Sequence, residues 1–301
     1  MAPRRTRIVA IGSETGLTAS FAPDAGMVCC SLMHRGEQVL GLRGGLDAYV
    51  RDRSTMGIPL LYPWANRLDR ARFEVAGREI DVSSSQPPPK LDGNGLPIHG
   101  LLTAAPGWET AKQTRPDRIE ARFRFAGSLA LGFPFPHTVT LAATVDGTRL
   151  EIELNVLADA GSEVPIAFGF HPYFSIPGVP RSEWVLDAQV ETGLELDERG
   201  IPTGARVPVA PIDGPLGNRA FDDAFLAPSA PFRLMGGGRR IEVAFDRGFP
   251  FSQLYAPPGE ELIAWEPMTA PTNALVSADG LTVIEPGESY DAAFSVSVAA
   301  G

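Results

Sequence analysis

HTVTLAATVDGTRLEIELNV, residues 137–156, decides the fold. Val139, Leu141, Ala143 and Val145 return at every second position. After Asp146-Gly147, Leu150, Ile152, Leu154 and Val156 do the same, opposite Glu151, Glu153 and Asn155. Side chains alternate between the two faces of a strand, so each run presents one apolar face and one polar face. An Asp-Gly pair between two such runs favours the positive φ angles of a tight turn, and the stretch reads as a β-hairpin.

The same period runs outward in both directions. ARFEVAGREIDV (71–82) reads as a second hairpin turning at Ala76-Gly77, and RIEARFRFAG (118–127), RRIEVAFD (239–246), FSQLYAP (251–257) and ESYDAAFSVSV (288–298) read as strands. No stretch of a dozen residues has helical periodicity; LDAYVRDR (46–53) amounts to a turn or two. Between the strands lie irregular segments rich in Pro, Gly and Ser, notably 83–97 and 200–219. With 28 prolines, 32 glycines and 44% hydrophobic residues among 301, the chain suits many short elements around a sizeable core. We find no repeat and no break in composition. The expectation is all-β: one domain over residues 1–301, either a large sandwich or a barrel, with elaborate loops, which are where function usually sits.

Charge narrows the function. The formal net charge is −10 and the only lysines are Lys90 and Lys112. That balance argues against binding to nucleic acid or to an anionic membrane, both of which want a basic face. Cys29 and Cys30 are adjacent, so on a strand their side chains point to opposite faces and two buried thiols are expected. MAPRRTRIVAIG, residues 1–12, lacks the apolar segment of a leader, and no run reaches membrane-spanning length. A soluble, cytoplasmic protein is expected.

Four histidines are candidates for chemistry: His34, His99, His137 and His171. None pairs with another at metal-ligand spacing and no cysteine accompanies them, so no metal site is expected. His34, in LMHRGEQV, reads as a solvated loop residue, and His137 as a packing or edge residue. His99 and His171 differ, because each follows an apolar strand into a Gly- or Pro-marked turn. Arg67 and Glu266 occupy equivalent places, in WANRL and in AWEP. Taken singly, each is most simply a structural histidine, a surface ion-pair partner or a rim carboxylate. Together, strand endings of this kind gather side chains at one cleft. A histidine and a carboxylate can exchange protons without a cofactor, and an arginine fork suits sugar hydroxyls. Trp64, Tyr173, Phe174 and Trp265 are expected to wall the cleft, with Trp265 desolvating Glu266.

GIPLLYPWANRL (57–68), IHG (98–100), FGFHPYF (168–174), FDDAF (221–225), SQLYAP (252–257) and AWEPMTAPTNAL (264–275), in that order, resemble the aldose 1-epimerase (galactose mutarotase) family, as does the closing VIEPGESYDAAFSVSV (283–298). The resemblance implies the supersandwich β fold and a cofactor-independent isomerase acting on a monosaccharide, as a monomer or homodimer. It implies Glu266 as the base on the anomeric hydroxyl O1, His171 as the acid on the ring oxygen O5, and His99 beside O5. Asn66, Arg67, Asp222, Gln253 and Tyr173 would hold the sugar, with Asp223 the lesser candidate beside Asp222. Two departures bear on the substrate. HPYFSIPG carries Ser175 and Ile176 where relatives acting on galactose or glucose often have Asn-Leu, and HGLLTAAPGW lacks a second glycine after His99. A free aldohexose is the first expectation. An anionic sugar, a hexose 6-phosphate or a sulfonated hexose, is the second, with the arginines of YVRDRST (49–55) as its clamp. The competing classes are a non-catalytic carbohydrate-binding protein, which would not need His171 and Glu266 together, and a glycan-cleaving enzyme, which wants two opposed carboxylates. Glu285, the nearest second acid, reads as a rim residue.

Overall fold

The computed structural model describes residues 6–12, 16–113 and 115–300. The first five residues of the leader reading above therefore lie outside the described residues. The 137–156 hairpin forms as its alternation requires: strands His137–Asp146 and Arg149–Ala158 run antiparallel in unbroken register, from His137 opposite Ala158 to Asp146 opposite Arg149. The shorter hairpin, Arg72–Val75 with Arg78–Asp81, turns through Ala76 (φ 47°) and Gly77 (φ 66°). Both turn residues have the left-handed backbone that lets a two-residue loop follow the twist of its strands.

The longer hairpin sits in a nine-stranded sheet. The twelve-residue strand Ser289–Ala300 lies beside it, between Arg149–Ala158 and Arg239–Arg247. A second sheet carries Phe221–Leu226, Phe251–Ala256 and Ile263–Met268 side by side, extended by the short pairs Gly169–Phe170 and Leu60–Leu61. The two sheets meet through aromatic side chains. Trp265 of the second stacks on Phe232 of the first with ring centroids 4.9 Å apart, and Phe170 packs against Phe294 at 5.0 Å. A continuous apolar core from Ile11 to Val298 fills the space between them, the arrangement of a β-sandwich. Among the described residues no helix is long and apolar enough to cross a membrane.

Two expectations need correction. Residues 200–219 are not irregular: Pro202–Pro208 and Ile212–Pro215 are strands, one at the outer edge of each large sheet. His34 is buried rather than solvated, because it closes the strand Val28–His34 against Leu17. Its burial, with Arg239 and Arg35 nearby, holds the imidazole below its usual pKa. The 46–53 segment forms the helix Gly45–Asp52, about two turns long as its sequence suggests, and buries Tyr49. His137, read as a packing residue, is one. It is fully buried, stacked on Phe125, with Nε2 2.5 Å from the Tyr62 hydroxyl and Nδ1 2.5 Å from the Phe135 carbonyl. The two cysteines are buried and unbridged. Cys29 faces the main core, while Cys30 faces a small cluster beneath the Gly45–Asp52 helix.

Candidate active site

The second sheet presents one face to the core and the other to a pocket. Its register decides which residues share the pocket face. Asp222 lies opposite Tyr255, Gln253 opposite Glu266, and Tyr255 opposite Ala264. Alternation sends Trp265 to the other face, where it stacks between Phe232 and Phe225. Trp265 thus belongs to the core, and the expectation that it walls the cleft is wrong by one residue of pleat. Trp64 and Phe174 are likewise core residues; of the four expected aromatics only Tyr173 lines the pocket.

The pocket, of about 130 Å³, is lined by Arg43, Asn66, Arg67, His99, His171, Tyr173, Asp222, Tyr255 and Glu266, with Thr55 and Ile98. A larger open groove of about 520 Å³ follows the Arg72–Asp81 hairpin, but there Arg72 and Asp81 already bond each other at 2.8 Å. The smaller pocket holds the groups with chemistry to spare. His171 Nε2 lies 3.2 Å from Glu266 Oε1, with both side chains almost fully buried. Among the described residues, Glu266 Oε2 and the Nδ1 atoms of His171 and His99 have no hydrogen-bond partner. The two imidazoles meet edge to face at 5.4 Å. The Tyr173 ring lies along His171, centroids 4.1 Å apart, with its hydroxyl 3.0 Å from Nε2 and 2.7 Å from Thr55 Oγ1.

Burial sets the protonation of these groups. It pushes the Glu266 carboxyl well above its ordinary range; Asp222 pushes the same way, and Arg67 and Arg43 oppose. It pushes His171 well below its ordinary value, helped by His99 and Arg43, and lowers His99, where Arg67, Lys90 and Arg43 add to the effect. A charge removed from water is disfavoured whatever its sign, so acid and base are both driven toward their neutral forms.

Two arginines frame the pair, and each is held. Arg67 donates from Nε to Asp92 Oδ2 at 2.9 Å and from Nη1 to the Asn66 side chain at 3.0 Å, and its Nη2 lies 3.6 Å from Asp222. Arg43 grips Glu260 through two nitrogens, at 2.8 and 3.1 Å, and donates to the Tyr173 and Tyr255 hydroxyls. Gln253 stands behind the pocket and donates to Asp222 Oδ1 at 2.7 Å. The arginines of YVRDRST are elsewhere: Arg51 pairs with Asp52 and Arg53 donates to the Pro88 carbonyl. Glu285 is exposed and outside the pocket, and Asp223 points away from it, opposite Leu254. Arg43, Thr55, Asp92 and Tyr255 were not anticipated. The only sequence signal was Tyr255, two residues from Gln253 and so on the same face.

Some of the pocket residues have strained backbone. Asn66 (φ 55°) and His99 (φ 63°) are both left-handed, and the His99 N–H donates to the Asn66 carbonyl at 2.9 Å. Non-glycine residues hold that conformation where the surroundings impose it, often at functional sites.

Fold and pocket together define a β-sandwich protein with a buried imidazole–carboxylate pair framed by two braced guanidiniums. The aldose 1-epimerase family model matches residues 9–297, and the chain belongs to that family. It is similar to galactose mutarotase of Mus musculus, 29% identical over 154 residues, which are 50% of this chain and 41% of that protein. The Homo sapiens galactose mutarotase is 26% identical over 175 residues, 56% and 46% of the two chains. The chain thus matches less than half the length of these relatives. Among solved structures, the Slr1438 protein of Synechocystis sp. PCC 6803 superposes with a TM-score of 0.80 at 23% identity, over 100% of this chain and 98% of the other. A galactose mutarotase-like protein of Clostridium acetobutylicum gives 0.82 at 16%, over 98% and 99%. At such identities these structures speak for the fold, the galactose mutarotase-like supersandwich.

Proposed function

We propose that the protein interconverts the α and β anomers of a neutral, free aldohexose, without a cofactor. The observation that carries this reading is the side-by-side placement of His171 and Glu266, 3.2 Å apart and buried, each with a polar atom left unpartnered. Ring opening of a hemiacetal removes the proton from O1 and adds one to O5. Both oxygens are bonded to the same carbon, so acid and base must be neighbours rather than face each other across the ring. Glu266 takes the O1 proton and His171 delivers one to O5. The C1–O5 bond breaks to leave an aldehyde, which rotates about C1–C2. Reclosure from the other face returns both protons, with the roles reversed. His99, beside His171, shares the charge near O5. Arg67 keeps donors free for hydroxyls after serving Asp92 and Asn66, and Asp222, Asn66 and Tyr173 complete the polar lining. Gln253 acts through Asp222.

The charges favour a neutral sugar over an anionic one. Arg43, Arg67 and Lys90 are matched by Asp92, Asp222 and Glu260, with Glu266 driven toward its neutral form by burial, and both arginines already bond carboxylates. A phosphate or sulfonate would have to displace one of those bonds. Glycan cleavage fits less well: the second carboxylate at the pocket, Asp222, is engaged by Gln253 and Arg67.

The test is anomer exchange followed by NMR over a panel of neutral hexoses and hexose 6-phosphates. Wild type should accelerate exchange of at least one neutral hexose, and Glu266→Gln and His171→Asn should each lose about 10²-fold or more, the usual contribution of a general acid or base. Binding without exchange would favour a sugar-binding protein, and preference for the phosphates would overturn the neutral assignment.

A further inference from the structure

The chain beyond Glu266, residues 267–273, leads into the short helix Ala274–Ser277, with Asn273 at its N-cap position. An asparagine there ordinarily folds its side chain back to accept an N–H of the first helical turn. Asn273 makes no such bond. Its Oδ1 instead accepts the backbone N–H of Asp69 at 2.9 Å, and its own N–H donates to the Arg67 carbonyl at 2.9 Å. Its φ is 70° and its side chain is buried. Asparagine tolerates that left-handed backbone better than most residues, and few others bring an acceptor of this reach.

Both bonds land on the segment that carries Arg67. Its other side is held by the 97–99 segment: the Leu68 N–H donates to the Pro97 carbonyl and the His99 N–H to the Asn66 carbonyl, each at 2.9 Å. The Arg67 backbone is therefore clasped between the His99 segment and the run of chain that follows Glu266. Gly200 closes over the guanidinium itself, where an added Cβ would stand 3.0 Å from Nη1.

We infer that Asn273 is a positioning residue for Arg67, fixing the guanidinium relative to Glu266 by diverting its side chain from the cap to the Asp69 amide. The inference rests on reading the pocket as a sugar site with Arg67 as a binding group. Asn273→Gly keeps the left-handed backbone and removes Oδ1, whereas Asn273→Asp keeps the acceptor. With the hexose that wild type exchanges fastest, the glycine variant should show KM raised about fivefold, the scale of one lost hydrogen bond, with kcat within about twofold. Backbone hydrogen exchange at the Asp69 amide should quicken, and the aspartate variant should behave as wild type. Unchanged KM in the glycine variant, a fall in kcat without a rise in KM, or an aspartate variant as impaired as the glycine one would overturn the inference. If wild type binds hexoses without exchanging them, the proposed reaction fails, while the Kd of the glycine variant by NMR titration tests the clasp with the same expected factor. If no hexose binds at all, unchanged Asp69 protection in the glycine variant overturns it.

Discussion

Glu266 and His171 titrate as a pair, and burial acts on them in opposite directions. The carboxyl is raised above its usual 4.5 and the imidazole lowered below its usual 6.5. Between those two ionisations the pair holds one proton in total, and the productive form, carboxylate with imidazolium, is a tautomer of the neutral pair. The kcat/KM profile should therefore fall on the acid side only below the ordinary histidine value, as a second proton binds. On the alkaline side it should fall only above the ordinary carboxylate value, as the shared proton leaves. Initial rates of anomer exchange across pH check this; an acid limb above 6.5 would contradict it. At this scale much was legible: His99, His171, Glu266, Asn66, Arg67, Asp222 and Tyr173 all line one pocket. His99, His171 and Arg67 stand where an apolar run meets a turn, a mark visible in sequence. Glu266, read the same way, lies inside the strand Ile263–Met268 rather than at its end. The sugar-holding roles of Asn66, Asp222 and Tyr173 were marked only by the family resemblance. Arg43, in VLGLRGG (39–45), was not singled out in the sequence. Its role arises from Glu260 and two tyrosines more than a hundred residues away.

The elements that hold the site meet backbone to backbone. Gly100 follows His99 with φ 70°, and a Cβ added there would stand 2.2 Å from the Tyr62 carbonyl oxygen. The obstacle is main chain and cannot rotate away. Gly100→Ala should cost on the order of 2–4 kcal/mol of stability through strain and overpacking, and should displace His99. Urea unfolding together with exchange rates measures both effects. Gly147→Ala, at a turn with open space around the added carbon, is the control and should cost less. Strands with one buried face were readable because alternation is the direct trace of a half-buried sheet, as at 137–158 and 72–81. Pro202–Pro208 was missed for the converse reason. Nearly every residue on it is exposed, so neither face is selected for apolar character. It also sits at a sheet edge, where proline is tolerated and hides the strand signal.

For the molecule as a whole, sheet order and the facing of the two sheets were not legible, because they depend on contacts such as Trp265 on Phe232 that no local pattern encodes. One long-range consequence concerns acid. His137, sealed between Tyr62, Phe125 and Phe135, has its pKa lowered by burial from 6.5 to about 4. The unfolded chain therefore binds the extra proton first. The stability from keeping this imidazole neutral is complete above pH 6.5 and is lost as pH falls toward 4, an effect on the order of 3 kcal/mol. Chemical denaturation at pH 7 and 4.5 should show that loss together with more of the same sign from His34, His99 and His171, which are lowered too, and His137→Phe should reduce the total by His137's share. The adjacent thiols offer a different kind of readout. Cys29 and Cys30 are neighbours in sequence, yet they look into separate apolar clusters, one between the large sheets and one beneath the Gly45–Asp52 helix. A thiol-alkylating reagent would thus time the breathing of two compartments from a single peptide, and comparing the two labelling rates would tell whether that helix lifts before the sandwich parts.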